Sequence, residues 1–223
     1  MAKVKTSEEI REENVKTTAA AAENFFVQNR KLLIVLLAVI IVLGLGVLGY
    51  HKFVYAPAVA QAEENSYVAE INFQKGEFEL ALEGDGVNLG FAQICDKYGA
   101  KAGKAVYLYA GTCCAQLGRW EEALSYLKKY NGKEPILAAR ALALEGDCYV
   151  ALGDMAKAVK FYDKASAKAD NMFAAEYLLK AGRAYASLGQ NDNALAAFRT
   201  IKDKYPMSYE ASSVDKYINE IAE

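Results

Sequence analysis

Histidine is almost absent from the sequence, with His51 the single one among 223 residues. A Ser-His-Asp triad or a Cys-His pair uses histidine as its base, and His51 stands at the end of a long apolar run, apart from other candidate groups. The sequence has no dinucleotide fingerprint, and its glycine-rich stretch, Glu83 to Gly90, lacks the Lys-Ser/Thr that completes a phosphate loop. These absences predict a protein that is not an enzyme and that takes neither a cofactor nor a small-molecule substrate.

Cysteine is scarce, and none of its four occurrences has the CxxC or zinc-finger spacing of a metal site. All four lie within helical patterns, where a buried cysteine behaves as a small apolar residue. We therefore predict no metal site and a core position for each thiol. Structural disulfides are the alternative, which an oxidising compartment would favour. The residues concerned are Cys95, Cys113, Cys114 and Cys148.

An excess of charge of either sign is also lacking. The chain has 26 basic and 28 acidic side chains and a net charge of −2, so its charge does not favour a nucleic-acid partner. Proline and glycine number 3 and 16, which argues against long disordered segments beyond the first two dozen or so residues.

One long hydrophobic run is present, from Leu32 to Tyr50, and it contains no charged side chain. As a helix it would rise roughly 28 Å, about the thickness of the hydrocarbon core of a bilayer. We therefore predict a transmembrane helix. A cleavable signal peptide is the alternative, because Ala58 to Ala60 has a small-x-small pattern, but the run exceeds a signal h-region and the pattern lies far beyond its end.

Basic residues favour one orientation of this helix. Six Lys or Arg side chains precede the run, whereas Lys52 follows it and the next is Lys75. Because Lys and Arg are retained on the cytoplasmic side of a membrane, we predict that the N-terminus is cytoplasmic and that the bulk of the chain lies outside.

A repeat of 35 to 36 residues dominates the outward part. When residues 107–130, 142–165 and 178–201 are superposed, four positions hold the same kind of residue in each copy. They are Gly111, Gly146 and Gly182; Gly118, Gly153 and Gly189; Ala123, Ala158 and Ala194; and the large Leu127, Tyr162 and Phe198.

Apolar residues recur at steps of three and four on both sides of the second glycine of each copy. This periodicity predicts two amphipathic helices per repeat, with the second glycine ending the first helix. The first glycine and the alanine fall inside the two helices, where small side chains let paired helices approach closely.

This pattern resembles the tetratricopeptide repeat family. The matching residues are Tyr107, Gly111, Ala123 and Leu127, then Leu142, Gly146, Tyr149, Ala158 and Tyr162, then Leu178, Gly182, Tyr185, Ala194, Phe198 and Pro206. The first copy departs from the pattern, because Cys114 stands where the family has tyrosine. The resemblance implies an all-α fold in which helical hairpins stack into a solenoid.

Two flanking segments extend the predicted solenoid. Residues 67–81 form a degenerate first copy in which Gly76 takes the place of Gly118. These glycines are 42 residues apart, so the stretch from Glu83 to Gly90 must loop out before a helix at 91–98. Residues 208–222 place apolar side chains on one helical face after Ser208, a candidate N-cap, which predicts a helix that closes the solenoid.

The predicted organisation therefore has five parts. They are a cytoplasmic arm at 1–31, a transmembrane helix at 32–50, a membrane-proximal connector at 51–66, a tetratricopeptide solenoid at 67–206 and a capping helix at 207–223.

A solenoid of helical hairpins offers a concave groove for an extended peptide or a partner helix. In the family, the first helix of each repeat lines that groove. The resemblance thus assigns groove positions to Leu108, Thr112, Ala115, Arg140, Ala143, Asp147, Val150, Glu176, Leu179, Arg183 and Ala186. The subgroup that clamps the C-terminal carboxylate of chaperones has Lys and Asn at such places, and Leu108 and Thr112 argue against that mode.

The layout of arm, single span and outward repeat domain resembles the YfgM type of bacterial inner-membrane protein. This resemblance implies a periplasmic adaptor tethered to the inner membrane, whose partners are Sec translocon subunits, a periplasmic chaperone or nascent secreted proteins. A structural scaffold subunit of another envelope or secretion complex is the alternative. A cell-wall-binding module is a further possibility, which a saccharide pull-down would test.

Overall fold

The computed structural model describes residues 7–169 and 171–222, and this part of the chain is helical apart from turns and one isolated bridge between Gly84 and Leu89. It divides into two compact units after Pro57. The first unit contains α1 (Ser7–Tyr50) and a π-helical segment (His51–Tyr55). Residues 1–6 of the predicted arm lie outside the described residues, as does Glu223 of the predicted capping helix.

The second unit is called the repeat domain. It begins at Ala58, within α2 (Ala56–Gln74). Its other helices are α3 (Phe78–Glu83), α4 (Phe91–Tyr98), α5 (Ala105–Gln116), α6 (Trp120–Leu127), α7 (Pro135–Ala151), α8 (Met155–Ala169), α9 (Phe173–Ser187), α10 (Asn191–Lys204) and α11 (Val214–Ala222). The predicted connector at 51–66 is therefore helical, and Ala62 and Ser66 in α2 are buried.

The apolar run from Leu32 to Tyr50 lies within α1, and its large side chains are exposed. Within the described residues, one helical stretch is long and apolar enough to cross a membrane, and it contains this run. Its length and composition fit the predicted span, and a signal sequence near an N-terminus would meet the same criteria.

The second glycine of each copy ends a helix in the way that the pattern predicts. Gly118, Gly153 and Gly189 have φ values of 74°, 80° and 70°, in the left-handed region that glycine adopts without steric cost. In each case the glycine N–H and the following N–H donate to carbonyls three and five residues back, the two bonds of a Schellman motif. Gly76 makes the same pair of bonds, which confirms that the degenerate copy turns as the others do.

The first glycine of each copy lies where paired helices touch. A Cβ atom at Gly146 would lie 2.5 Å from a ring carbon of Tyr162, and one at Gly182 would overlap the ring of Phe198. At Gly111 the obstructing group is the side chain of Leu127, 2.8 Å away. The predicted close approach is confirmed, and the large residue of each copy occupies the space that its glycine leaves open.

The glycine-rich stretch forms the predicted turn. Asp85 accepts hydrogen bonds from the N–H groups of Val87 and Asn88 at 2.9 and 2.6 Å, and these bonds lower the pKa of its carboxyl. The chain then enters α4 over the predicted residues, 91–98.

The prediction for the C-terminal cap was partly wrong. Ser208 is buried, and its Oγ accepts a hydrogen bond from the N–H of Ala211 at 3.2 Å. That bond supports a 3₁₀ turn at Glu210–Ser212, so α11 begins at Val214 rather than near Ser208. The predicted apolar face is confirmed, because Val214 and Tyr217 pack in one cluster with Phe198.

All four cysteines are free and buried, as predicted. Burial raises the pKa of each thiol to about 12.

Candidate protein-binding groove

The first helices of the three clear repeats, α5, α7 and α9, enclose a pocket of about 460 Å³, called the central pocket. It is lined by Thr112, Gln116, Ile136, Arg140, Ala143, Leu144, Asp147, Phe173, Glu176, Tyr177 and Lys180. A pocket of about 260 Å³, called the side pocket, follows along the later turns of α7 and α9. It is lined by Asp147, Val150, Met155, Tyr162, Lys180, Arg183, Ala184 and Ser187. The two pockets together are called the groove.

Asp147 and Lys180 line both pockets and form an ion pair between α7 and α9. The Nζ atom of Lys180 lies 2.8 Å from Oδ2 of Asp147 and 3.3 Å from Oε1 of Glu176. Burial lowers the pKa of Lys180, but the attraction of both carboxylates outweighs it and the pKa is raised. Lys180 therefore stays charged and paired at neutral pH.

Tyr162 of α8 also contacts Asp147, the acid of this ion pair. Its hydroxyl donates a hydrogen bond of 2.8 Å to Oδ1 of Asp147, and burial, followed by the charge of Asp147, raises the pKa of the phenol. Asp147 thus connects α7, α8 and α9 at the boundary between the two pockets.

Two arginines of the groove have no such partner. Among the described residues, neither Arg140 nor Arg183 forms an ion pair, and both side chains are exposed. The guanidinium carbon of Arg183 lies 6.0 Å from the centre of the Tyr217 ring, a cation–π distance. Each pocket therefore holds one guanidinium that is open to a ligand.

The start of the groove is apolar. Ile136 and Phe173 stand in the first turns of α7 and α9, and they are 50% and 47% exposed. Tyr177, one turn after Phe173, is buried at the same end, and burial raises the pKa of its hydroxyl. An apolar ligand group placed here would cover two large side chains that water now contacts.

The structure brings seven of the eleven predicted groove residues to these pockets. The central pocket takes Thr112, Arg140, Ala143, Asp147 and Glu176, and the side pocket takes Val150, Arg183 and again Asp147.

The other four predicted residues lie elsewhere. Leu108 and Ala115 are buried in a core cluster that extends from α2 to α7, with exposures of 4% and 5%. Leu179 and Ala186 pack against the cluster around Phe198. These four face neighbouring helices instead of the groove, because a helix inside a stack is apolar on two sides.

Sequence reasoning missed the two apolar residues at the start of the groove, Ile136 and Phe173, and the central cation, Lys180. One signal for Lys180 is present in the sequence, since Glu176 and Lys180 are four residues apart with the acid first, the favourable order for a helical ion pair. The first-turn positions of Ile136 and Phe173 have no counterpart in the repeat pattern.

The groove presents charged and apolar side chains to a ligand. Within the described residues, no cluster of His, Cys, Asp and Glu can hold a metal ion. Its acids and its lysine are engaged with one another, so what remains for a ligand is two guanidinium groups and an apolar entrance.

Comparison with known proteins agrees with the repeat pattern. Two family models described as tetratricopeptide repeat match residues 139–166 and 176–208. A solved structure described as "Crystal structure of MamA" is similar in fold, with a TM-score of 0.52 and 19% sequence identity over 70% of this chain and 92% of that chain. No curated protein matches the sequence. Two segments of the chain thus match tetratricopeptide repeats, a repeat type that commonly serves protein–protein interaction.

Proposed function

We propose that this protein is a membrane-tethered periplasmic adaptor that holds protein partners in its groove, close to the Sec translocon and periplasmic chaperones. The observation that carries the binding role is the groove itself, an open channel along the first helices of three consecutive repeats with unpaired guanidinium groups and exposed apolar side chains. The exposed apolar run in α1 and the basic residues before it support the tether. The translocon neighbourhood rests on the resemblance in layout to the YfgM type.

Mechanistically, the protein acts by confinement rather than by chemistry. A domain that follows its membrane helix directly stays within tens of ångströms of the bilayer, which raises its effective concentration for partners on the same membrane. A partner segment enters the groove, buries its apolar group against Ile136 and Phe173, and is released without covalent change.

The direct test is photocrosslinking in intact cells from the full-length chain. A photoreactive phenylalanine analogue at Phe173 occupies the mouth of the groove, whereas the same analogue at Val87, which is 90% exposed in the glycine-rich turn, is the control. We expect position 173, and not position 87, to capture translocon subunits or a periplasmic chaperone. Capture of one stoichiometric envelope complex without a translocon would replace the adaptor with the scaffold role, and equal capture from both positions would remove the groove from the mechanism.

Topology needs a separate measurement. Fusion of alkaline phosphatase to the C-terminus should give an active enzyme, because that enzyme folds in the periplasm, while a fluorescent protein fused there should stay dark. The mass of the mature chain distinguishes an intact anchor from a cleaved signal. An active fluorescent fusion or a mature chain that begins after Ala60 would overturn the tether.

A further inference from the structure

We propose that the groove selects a short extended peptide segment that combines one large apolar side chain with one or two acidic side chains within about five residues of it. This inference rests on the proposed function in that the groove is taken to bind protein. It adds which side chains the segment carries and how they are spaced along the groove.

The charged side chains that line the groove do not balance. The lining of the two pockets contains three cations and two anions, all on α7 and α9, so the groove carries a net charge of +1 inside a chain whose net charge is −2. The cations are Arg140, Lys180 and Arg183, and the anions are Asp147 and Glu176.

These charged side chains differ in how open they are to a ligand. Lys180 is held by Asp147 at 2.8 Å and by Glu176 at 3.3 Å, and Asp147 also accepts from Tyr162. Both carboxylates therefore already face an internal cation, and a basic peptide would have to compete with Lys180 for them. The guanidinium groups of Arg140 and Arg183 are exposed and unpaired, and a guanidinium binds a carboxylate through two parallel hydrogen bonds.

The apolar and cationic residues occupy different parts of the groove, and the distance between them sets the length of the segment that can contact both. Ile136 and Phe173 precede Arg140 and Arg183 along α7 and α9, so the apolar subsite stands before the two cationic ones. At about 1.5 Å per residue, Phe173 and Arg183 are separated by roughly 15 Å along α9. An extended chain at about 3.3 Å per residue covers that distance in about five residues. The recognised segment is thus a large apolar residue with one or two acids within about five positions of it.

The test is selection from a random peptide library displayed with the C-terminus of each peptide fused to the carrier, so that no terminal carboxylate is free. The full-length protein, reconstituted in a lipid nanodisc, serves as bait. Selected peptides are then synthesised, and their binding is measured by fluorescence polarisation against the wild type, R140E, the milder R183Q and R199E. Arg199 is an exposed arginine of α10 outside both pockets, so R199E makes the same charge change elsewhere.

We expect enrichment of Asp and Glu beside an aromatic or large aliphatic residue. Charge reversal in R140E should weaken binding about tenfold and shift a repeated selection towards Lys and Arg, because repulsion replaces a charge-assisted contact. The R199E variant should bind as the wild type does, and replacement of the peptide acids by Gln should reproduce the loss. Thermal unfolding of each variant separates a lost contact from a lost fold.

Two outcomes would overturn the inference in distinguishable ways. Enriched peptides without acids, or equal losses in R140E and R199E, would refute the acidic specificity and leave the groove as a binding site. A library that yields no groove-dependent binder would refute the specificity together with the proposed function.

Discussion

The two halves of the repeat domain fill their interiors by different means. One core cluster, formed mainly by α2 to α6 and joined by Ala141 and Cys148 of α7, contains large aromatic rings, with the ring centres of Phe73, Phe91 and Tyr109 5.1 to 6.1 Å apart. Three smaller clusters on α7 to α11 hold ten alanines among their sixteen buried residues.

The difference follows from the regularity of the repeat. Where the pattern is intact, glycine and alanine let paired helices touch, and one large residue per copy completes the contact. Where the surplus from Glu83 to Gly90 interrupts the repeat, the helices no longer follow its spacing, and aromatic rings fill the space between α2, α4 and α5. One fold is therefore stabilised by bulky side chains in α2 to α6 and by close approach of helix backbones in α7 to α11.

The largest expected effect is the loss of a ring from the aromatic cluster. Phe91 is fully buried, so Phe91→Ala should lower the free energy of unfolding by about 3–5 kcal/mol. Because each repeat contacts only its neighbours, hydrogen exchange should accelerate in α2 to α6 and change little in α9 and α10. The matched variant Phe198→Ala should give the opposite pattern. Uniform acceleration in both variants would show that the two halves unfold as one.

Replacement of the first glycine of a repeat by alanine should change the free energy of unfolding differently in the two halves of the repeat domain. Gly182→Ala places a Cβ against the rigid ring of Phe198, and we expect a loss of about 1–3 kcal/mol despite the better helix propensity of alanine. Gly111→Ala instead meets Cγ and Cδ2 of Leu127, an aliphatic side chain that can change rotamer, so its propensity gain of about 1 kcal/mol should offset part of the cost of the contact.

Chemical denaturation measures both variants, and Phe198→Leu in the Gly182→Ala background should recover part of the loss. Equal stability of the two alanine variants would contradict the close-approach role of Gly182.

The ion pair of the groove should contribute less. We expect Asp147→Asn and Lys180→Met each to destabilise the protein by about 1–2 kcal/mol and the double variant to lose less than the sum. The pKa of Lys180 is raised in the folded protein, so its stabilisation is present below the ordinary lysine pKa and is lost as the pH rises through the folded value. Denaturation curves should show that the wild type loses its advantage over Lys180→Met above about pH 10.5; a pH-independent difference would argue against this pair.

The smallest effect is expected in the reactivity of the cysteine thiols, which reports on the packing around them. With a pKa of about 12 in each case, the cysteines should not react with Ellman's reagent in the native protein at pH 8 and should all react after denaturation. In Phe91→Ala, Cys95 of α4 and Cys113 of α5 should become reactive before Cys148, which joins the same cluster from α7. A titre below four thiols in the denatured, unreduced protein would revive the disulfide alternative.

The sequence predicted the turns and the helix contacts because each depends on one residue type at one place. Gly118 needs a left-handed φ, and Gly146 leaves the space that Tyr162 fills, so a fixed spacing of glycines identified both. The helix at 91–98 was found for a similar reason, since the length of the repeat left a surplus that had to form a loop.

The faces of the helices were harder to predict. Successive residues on a helix differ by about 100° in direction, so the choice of Leu179 instead of Lys180 turned the expected groove surface into the core. Leu108 was misplaced because a helix within a stack buries two faces, and hydrophobicity does not say which neighbour a leucine meets. The start of α11 was missed because a 3₁₀ turn follows Ser208, whose Oγ accepts a hydrogen bond from the N–H of Ala211, and the apolar pattern does not contain this bond.

The Schellman turns also bear on how such a protein can change in length. Gly76, Gly118, Gly153 and Gly189 reverse the chain with the same two hydrogen bonds, so every hairpin leaves its turn with the same local geometry. Since the joints are interchangeable, duplication of one 35- to 36-residue unit would add a hairpin, and a further stretch of groove, without requiring any existing turn to be rebuilt.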